Sequence, residues 1–180
     1  MINKEDLAVE KPTISDIDGI VHLHNKHLLD NLTQEQIKEG FIRVSYDADD
    51  FRSIIDDEAI VVVKKFGKII GYYLLGHSSN SPSLSYQFTA MNRFDLNGTK
   101  LVDLKVACGA QAVLEKEFRG IGLTEIMLSH LMEQVKTKYA YLFSSITKSN
   151  LKAIKAHTNS GYSIVGEDET KYFVCLKLQG

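Results

Sequence analysis

The sequence predicts a single α+β domain in which helices cover a sheet, and three observations predict it. Two runs of β-branched and apolar residues, 59–64 and 69–75, flank a short turn that contains a glycine, which is the pattern of a β-hairpin. Another apolar run passes through a turn with two glycines into a segment of helical periodicity. A third strand-like run, 139–146, precedes a helical segment at 150–159. No repeat or linker interrupts the chain, so we expect one domain over residues 1–180.

Composition narrows the class of protein. The chain has 180 residues, of which 44% are hydrophobic, enough for one sizeable core. Its net charge of −2 gives no bulk attraction for polyanions, so we predict neither a nucleic-acid partner nor a membrane partner. Residues 1–6 lack an apolar signal core, and no apolar run approaches the roughly 20 residues of a membrane span. These features predict a soluble cytoplasmic protein.

The two cysteines, Cys108 and Cys175, are too few for a disulfide framework. They have no Cys-x-x-Cys spacing that would indicate zinc. We predict that both are buried thiols.

The first elements are a short strand at 7–11 and an amphipathic helix. The polar segment 13–16 is typical of a helix start, with Ser15 or Asp16 as the N-cap. The residues expected on one face of this helix are Ile17, Ile20, Val21, His24 and Leu28.

Three histidines lie in that first helix. His24 and His27 are neighbours at i, i+3, whereas His22 points elsewhere. Because a metal site needs three convergent ligands, solvated or partly packed histidines are the favoured interpretation. A metal-binding module around His24 and His27 is the weaker alternative.

Two further short helices are predicted at 33–44 and 47–55, where polar residues mark the starts. Phe41, Tyr46 and Phe51 lie in this region, and core packing is the favoured interpretation for most of them.

The following segments alternate between strands and loops. Residues 76–100 are rich in Ser and Asn and contain Pro82, so we predict an irregular excursion there. Runs 101–106 and 110–114 then predict one strand, bent or bulged at Gly109.

The C-terminal part is predicted to alternate a helix with strands. The helix at 150–159 is expected to close at Gly161. The final strands are expected at 164–165 and 172–178.

The junction at 113–124 carries the strongest functional pattern. Gly120 and Gly122 permit unusual dihedral angles and a close approach of a ligand to the backbone. A helix that begins there offers unpaired N–H groups and the positive end of its dipole, and Arg119 adds a charge, so the junction suits a phosphate. An ordinary glycine turn is the alternative. The apolar stripe of the predicted helix consists of Leu123, Ile126, Met127, Leu131 and Val135.

Two other phosphate sites are disfavoured. A dinucleotide-binding fingerprint requires a third glycine where this chain has Glu125. No Gly-Lys-Ser or Gly-Lys-Thr sequence is present for a nucleotide P-loop.

The junction resembles the acyl-CoA signature of the GNAT superfamily of N-acyltransferases. That signature is Arg or Gln, two variable residues, Gly, one variable residue, then Gly or Ala, and residues 119–124 match it except at Thr124. A second match runs from Asn150 through Ala153 and His157 to the Gly-Tyr pair at 161–162. The resemblance covers roughly residues 58–178, and the two motifs in this order are more specific than either one alone.

The resemblance implies a three-layer fold with a mixed, mostly antiparallel central sheet splayed around an acyl-CoA site. It implies acetyl-CoA as the acyl donor and no metal. The backbone of a strand would pair with the pantetheine arm, and the glycine turn would wrap the diphosphate. The residues implied to bind the cofactor are Ala112, Val113, Leu114, Arg119, Gly120, Ile121, Gly122, Leu123, Thr124 and Asn150.

The implied reaction is direct attack of a primary amine of a small molecule, amino acid derivative or peptide on the thioester. His157 stands where the family commonly has a tyrosine acid, so it is the predicted acid or thiolate-stabilising group. Asn150 also suits an N-cap, and both of its roles can coexist. No base is nominated, since Ser145 stands where some relatives have a carboxylate and Glu115 and Asp103 suit solvated carboxylates.

Three further implications follow from the resemblance. Thr124 and Ser145 leave open a catalytically silent acyl-CoA-binding or regulatory protein. The early helices and the 76–100 segment would determine the acceptor, with the aromatic residues of the early helices as an alternative substrate wall. A homodimer through the late strands is compatible with the family.

Overall fold

The computed structural model describes residues 6–76 and 82–178. The helices are α1 (Ile17–His27), α2 (Gln34–Ile37), α3 (Ala48–Asp56), α4 (Pro82–Met91), α5 (Leu123–Val135) and α6 (Leu151–Asn159). The strands are β1 (Leu7–Glu10), β2 (Ile60–Lys65), β3 (Lys68–Leu74), β4 (Asp95–Leu96), β5 (Thr99–Lys100), β6 (Val106–Cys108), β7 (Gln111–Leu114), β8 (Tyr141–Thr147), β9 (Ser163–Glu167) and β10 (Lys171–Lys177).

The long strands form two four-stranded sheets. The first sheet has the order β1-β2-β3-β7, and all its neighbours are antiparallel. The second has the order β6-β8-β10-β9, in which β6 and β8 are parallel and the other pairs antiparallel. The short strands β4 and β5 pair only with each other among the described strands. The expected mixed, mostly antiparallel architecture is confirmed.

Helices cover both faces of the first sheet, which confirms the α+β three-layer arrangement. On one face, Ile20 of α1 and Phe51 of α3 pack with Tyr72 of β3. On the other face, Met127 and other residues of α5 pack against the first sheet and continue onto β8 and β10. Apolar burial on the two faces of the sheet therefore joins its three layers.

The predicted strand through 101–114 is wrong in two respects. Leu101–Asp103 is a 3-10 helix, and the remainder is two strands in two sheets. Gly109 lies between β6 and β7 with φ +77°, and a Cβ there would lie 2.6 Å from a methyl group of Leu84. Its N–H donates to the Phe143 carbonyl oxygen at 2.9 Å. The chain leaves the second sheet at this glycine and joins the first, so β7 and the end of β8 diverge.

The predicted helix at 33–44 is also shorter than expected. A capping box between Thr33 and Gln36 starts α2, but the helix ends at Ile37, and Gly40 has φ +104°. Residues 39–42, named the strap below, run in a non-helical conformation. The neighbouring expectation is confirmed, since Asp47 caps α3 through the N–H groups of residues 49 and 50.

The hairpin of β2 and β3 is confirmed, with Phe66 and Gly67 at positive φ in its turn as type I′ geometry requires. The irregular excursion at 76–100 is wrong where the structure describes it, because α4 and the β4–β5 hairpin lie there. Residues 77–81 lie outside the described residues. Leu84 and Ala90 are buried in α4, so tertiary packing stabilises a helix that local composition disfavours.

Several smaller expectations have clear outcomes. Asp16, and not Ser15, accepts the Thr13 N–H at 2.7 Å at the first helix start. Ile126 is 41% exposed, so it lies outside the apolar stripe of α5. Cys108 and Cys175 are buried free thiols, as predicted.

His24 corrects the expectation of a solvated or partly packed histidine, because it is fully buried. Its Nδ1 lies 2.8 Å from the Tyr72 hydroxyl, and its Nε2 accepts the Tyr46 N–H at 3.1 Å. The described residues contain no group of three or more His, Cys, Asp or Glu side chains that could hold a metal. No helix in the described ranges has the length and apolar character needed to cross a bilayer.

Candidate active site

The candidate site begins at β7, which is an edge strand of the first sheet. β3 pairs with β7 on one side, and no strand among the described residues pairs with its other edge. An edge strand presents alternate N–H and C=O groups away from its neighbour. β7 is therefore a template for an extended ligand that carries amides.

The turn after β7 has the geometry of an anion site. Gly120 and Gly122 have φ values of +76° and +86°, and a Cβ built on either would meet no described atom within 4 Å. Gly122 is the N-cap of α5, so the first N–H groups of this 13-residue helix lack partners within it. The helix dipole adds positive potential at the same place.

The edge of β7 and the glycine turn that follows it form one wall of a groove of about 700 Å³, named the larger cleft. Nine of the ten residues predicted to bind the cofactor line it, namely Ala112, Val113, Leu114, Arg119, Gly120, Gly122, Leu123, Thr124 and Asn150. Ile121 is the exception, because it packs against the core beneath the turn. The opposite wall contains residues of α6 and of the strap.

Arg119 fixes the strap to this site. Its Nε donates to the Leu114 carbonyl oxygen at 2.8 Å, and its Nη1 donates to the Glu39 carbonyl oxygen at 2.7 Å. The guanidinium thus joins the end of β7 to the start of the strap. Its direct contact with a diphosphate stays a prediction.

Asn150 holds the strap from the other side. Its Nδ2 donates to the Phe41 carbonyl oxygen at 3.0 Å, and its Oδ1 accepts the Ala153 N–H at 3.2 Å. The N-cap role is confirmed by the second bond. Arg119 and Asn150 therefore both position the strap, which the sequence patterns did not link to the site. The local sequence signal for the end of the helix at this place is Gly40.

Cations predominate around the larger cleft. Lys116, Lys152 and Lys155 line it together with Arg119, against the carboxylates of Glu39 and Glu125. Glu39 lies 3.6 Å from the Lys116 ammonium and 4.0 Å from that of Lys152. Lys155 forms no ion pair with a described residue, so its charge is available to a polyanion.

A second space of about 300 Å³, named the smaller cavity, lies where β7 and β8 diverge. It shares Phe41, Ile42, Ala112, Asn150 and Ala153 with the larger cleft. The two spaces are therefore adjacent, with Ala112 and Asn150 at their boundary.

His157 lines the smaller cavity. Its Nδ1 donates to the Ala153 carbonyl oxygen at 2.9 Å, so in the neutral ring Nε2 carries a lone pair. Nε2 is buried and has no hydrogen-bond partner among the described residues. Burial lowers the pKa of His157 below its usual 6.5, so the ring is neutral at pH 7. In this tautomer the group accepts a proton before it can donate one.

The remaining candidate residues divide between the hydrophobic core and the candidate site. Tyr46 and Phe51 are buried in the core, as favoured, whereas Phe41 lines both spaces. Glu115 is paired with Lys26 at 2.7 Å, and Ser145 lines the smaller cavity.

Solved structures with similar architecture cover almost the whole chain. The putative acetyltransferase yncA of Salmonella typhimurium, solved with acetyl-CoA, is 14% identical, with a TM-score of 0.62 over 97% of this chain and 95% of that one. The PaiA N-acetyltransferase of Thermoplasma acidophilum, in complex with coenzyme A, is 12% identical, with a TM-score of 0.64 over 95% and 98%. The protein has the GNAT acetyltransferase fold.

A further neighbour with this fold has a name that states its acceptor. The ribosomal-protein-alanine N-acetyltransferase of Brucella melitensis is 15% identical, with a TM-score of 0.60 over 95% of this chain and 99% of that one. No protein-family model matches the sequence, and no curated protein is significantly similar to it. At these identities the likeness establishes the GNAT fold.

Proposed function

We propose that the protein is an N-acetyltransferase that moves an acetyl group from acetyl-CoA to a primary amine of a small molecule, amino acid derivative or peptide. The observation that carries the proposal is the continuity of the free β7 edge with the open glycine turn at the start of α5. Together they offer a backbone template for an amide-bearing arm and N–H groups for a diphosphate. The GNAT fold supports this use of the larger cleft.

The residues present fit acetyl-CoA. Ala112, Val113 and Leu114 would bind the pantetheine arm through the β7 edge, where the Leu114 carbonyl oxygen also accepts a hydrogen bond from Arg119. The N–H groups of residues 120–124 would bind the diphosphate. Asn150 holds the strap at the boundary of the two spaces through the Phe41 carbonyl oxygen. Bound acetyl-CoA supplies an activated thioester carbonyl as the electrophile.

The smaller cavity receives the amine in this proposal. The amine nitrogen attacks the thioester carbonyl carbon, the C–S bond breaks, and one proton must leave the nitrogen while the departing thiolate gains one. Nε2 of His157 has the free lone pair needed to accept the first proton. The resulting imidazolium can then protonate the thiolate, which keeps the acid role suggested by the family resemblance.

A silent acyl-CoA-binding or regulatory protein is the second candidate. It is favoured by the composition of the smaller cavity, because no Asp or Glu is present among the described residues that line it. Thr124 in the glycine turn also departs from the acyl-CoA signature.

Calorimetric titration with acetyl-CoA tests the first step, and we expect saturable binding. Gly122→Glu should weaken binding by at least about 100-fold, because the side chain fills the anion site and repels phosphate. Gly67→Glu is the matched control, since Gly67 also has positive φ and lies in the β2–β3 turn. Absence of wild-type binding would refute the proposal.

An assay of free CoA thiol with a panel of amines separates the two candidates. Turnover that Gly122→Glu abolishes supports the enzyme. Tight acetyl-CoA binding without turnover of any amine supports the silent protein.

Four expectations from the sequence stay predictions. They are the cytoplasmic location, the homodimer, and the absence of nucleic-acid and membrane partners.

A further inference from the structure

The smaller cavity has an unusual balance of charge. Its ionisable lining groups in the described part of the chain are Arg43, Lys171 and the neutral His157. No carboxylate accompanies them among its described lining residues. The space next to the proposed reaction centre is therefore electropositive.

The two cations come together at the end of β8. Lys171 stands opposite Thr147 in the β8–β10 pairing, and Nε of Arg43 donates to Oγ1 of Thr147 at 3.2 Å. Burial has the largest effect and lowers the pKa of Lys171, the charge of Asp168 raises it, and the charge of Arg43 lowers it. Two like charges are thus held close together in a partly desolvated place.

Protein groups neutralise this pair only in part. Neither cation forms an ion pair within the described part of the chain; the Lys171 ammonium lies 4.1 Å from the centre of the Tyr86 ring instead. Asp168 raises the pKa of Lys171 through its charge. However, its carboxylate accepts hydrogen bonds from the Tyr86 hydroxyl and from the Lys171 N–H. An anionic ligand group between the two cations would therefore complete a neutralisation that Asp168 supplies to Lys171 only in part.

We propose that the acceptor is a small amine that also carries an anionic group, a carboxylate or a phosphate, bound between Arg43 and Lys171. This inference rests on the proposed function. The amine then points toward His157 and toward Ala112, where the smaller cavity borders the larger cleft. Ser145 and Gln111 also line the smaller cavity. The hydroxyl of Ser145 and Oε1 of Gln111, whose Nε2 donates to the Tyr72 hydroxyl, can bind the polar part of the molecule.

Size and charge both narrow the acceptor class. A space of about 300 Å³ is at the small end for ligand sites, which fits an amino acid or an aminoalkyl phosphate. A polyamine or a lysine side chain in a basic peptide would bring further positive charge beside Arg43 and Lys171 without a carboxylate in the lining to receive it. Such acceptors are disfavoured.

A matched acceptor series tests the charge requirement. The series contains an amino acid, its amide, its decarboxylated amine and the corresponding aminoalkyl phosphate, each assayed by release of CoA thiol. We expect kcat/KM to be at least about tenfold higher for an anionic acceptor than for the amide or the decarboxylated amine. The ratio between carboxylate and phosphate then identifies the anion.

Variants locate the binding group. Lys171→Gln and Arg43→Gln should each raise KM for the anionic acceptor by about tenfold or more, because a charge-assisted contact is lost. Neither should change KM for the amide or the affinity for acetyl-CoA. Lys68→Gln is the matched control, since Lys68 is exposed in the β2–β3 hairpin and lines neither space.

The outcomes separate this inference from the proposed function. If acetyl-CoA does not bind, both fall together. If it binds and uncharged or cationic amines are preferred, or Lys171→Gln leaves KM for the anionic acceptor unchanged, the inference is overturned and the acetyltransferase stands.

A binding measurement covers the case of an enzyme that turns over none of the four acceptors. The N-acetylated amino acid and the N-acetylated aminoalkyl phosphate are then titrated into the complex with CoA. Binding that Lys171→Gln weakens supports the inference, and absence of binding of both refutes it.

Discussion

The larger cleft and the smaller cavity are built by different parts of the chain. The larger cleft takes its key wall from one continuous stretch, 112–125, and offers mainly backbone groups. The smaller cavity is lined by side chains from separate segments, including 41–44, 109–112, 144–147 and Lys171. Backbone recognition suits a ligand shared by many enzymes, whereas assembled side chains suit selection of one acceptor.

The two spaces also differ in how their charges are balanced. Glu39 and Glu125 accompany the cations of the larger cleft, but no carboxylate accompanies Arg43 and Lys171 in the described lining of the smaller cavity. Substitutions can therefore distinguish the two spaces. A residue of the larger cleft should change the affinity for acetyl-CoA, and a residue of the smaller cavity should change the KM for the acceptor.

The largest effect is expected at His157. His157→Asn keeps a donor for the Ala153 carbonyl but removes the Nε2 lone pair, so kcat should fall by about 100-fold or more. Affinity for acetyl-CoA should not change. The wild-type kcat should fall only below pH 6.5, since burial lowers the pKa of His157 and the neutral ring is the active form.

His130→Gln provides the control for His157, because His130 is exposed on α5. An unchanged kcat in His157→Asn, or the same acid limb of kcat in that variant as in wild type, would exclude a proton-transfer role.

The next effect concerns His24, a buried residue that is connected through Tyr72 to the wall of the smaller cavity. His24 binds Tyr72, whose hydroxyl also accepts a hydrogen bond from Gln111 of the cavity wall at 2.9 Å. Burial lowers the pKa of His24 from 6.5 to about 4. Below pH 6.5 the unfolded chain therefore binds more protons than the folded one. Stability should fall by about 3 kcal/mol as the pH drops from 6.5 to 4.

Urea unfolding at pH 6.5 and at pH 4 measures this loss in wild type and in His24→Gln. The variant should lose less stability over the same interval, while His22→Gln, at an exposed position, should behave as wild type. Equal losses in wild type and His24→Gln would contradict the assignment.

A smaller effect is expected where the strap meets the larger cleft. Arg119→Gln removes charged donors from the Leu114 and Glu39 carbonyl groups, so affinity for acetyl-CoA should fall by about tenfold. Hydrogen exchange of residues 39–42 should accelerate. Lys116→Gln should leave that exchange unchanged, because Lys116 reaches only the Glu39 side chain. Unaltered exchange in Arg119→Gln would show that the strap is held in another way.

The smallest effect is expected at Lys155, which is exposed on α6. Lys155→Gln should weaken acetyl-CoA binding by about two- to threefold and reduce its dependence on salt, as for a surface charge. Lys171→Gln, in the smaller cavity, should change neither quantity. The reverse pattern would exchange the roles assigned to the two spaces.

Prediction from the sequence succeeded where structure is local. The hairpin of β2 and β3 follows from its Phe-Gly turn, and α5 follows from an apolar stripe after Gly122. It failed at α4, where burial of Leu84 overrides a composition typical of loops. The sequence prediction also merged β6 and β7 into one strand. The close approach of Gly109 to Leu84 at the break between them is a contact between distant segments, which a local pattern does not show.

The sequence by itself determined the β2–β3 hairpin, α5 and the glycine turn between β7 and α5, because glycine dihedral angles and a helix start depend on neighbouring residues. Only the tertiary structure decided what Arg119 and Asn150 hold, which tautomer His157 adopts, and that Arg43 meets Lys171. The partners of those side chains are distant in sequence, with the strap lying 80 residues before Arg119. Their positions depend on the divergence of β7 from β8, which only the packing of the two sheets fixes.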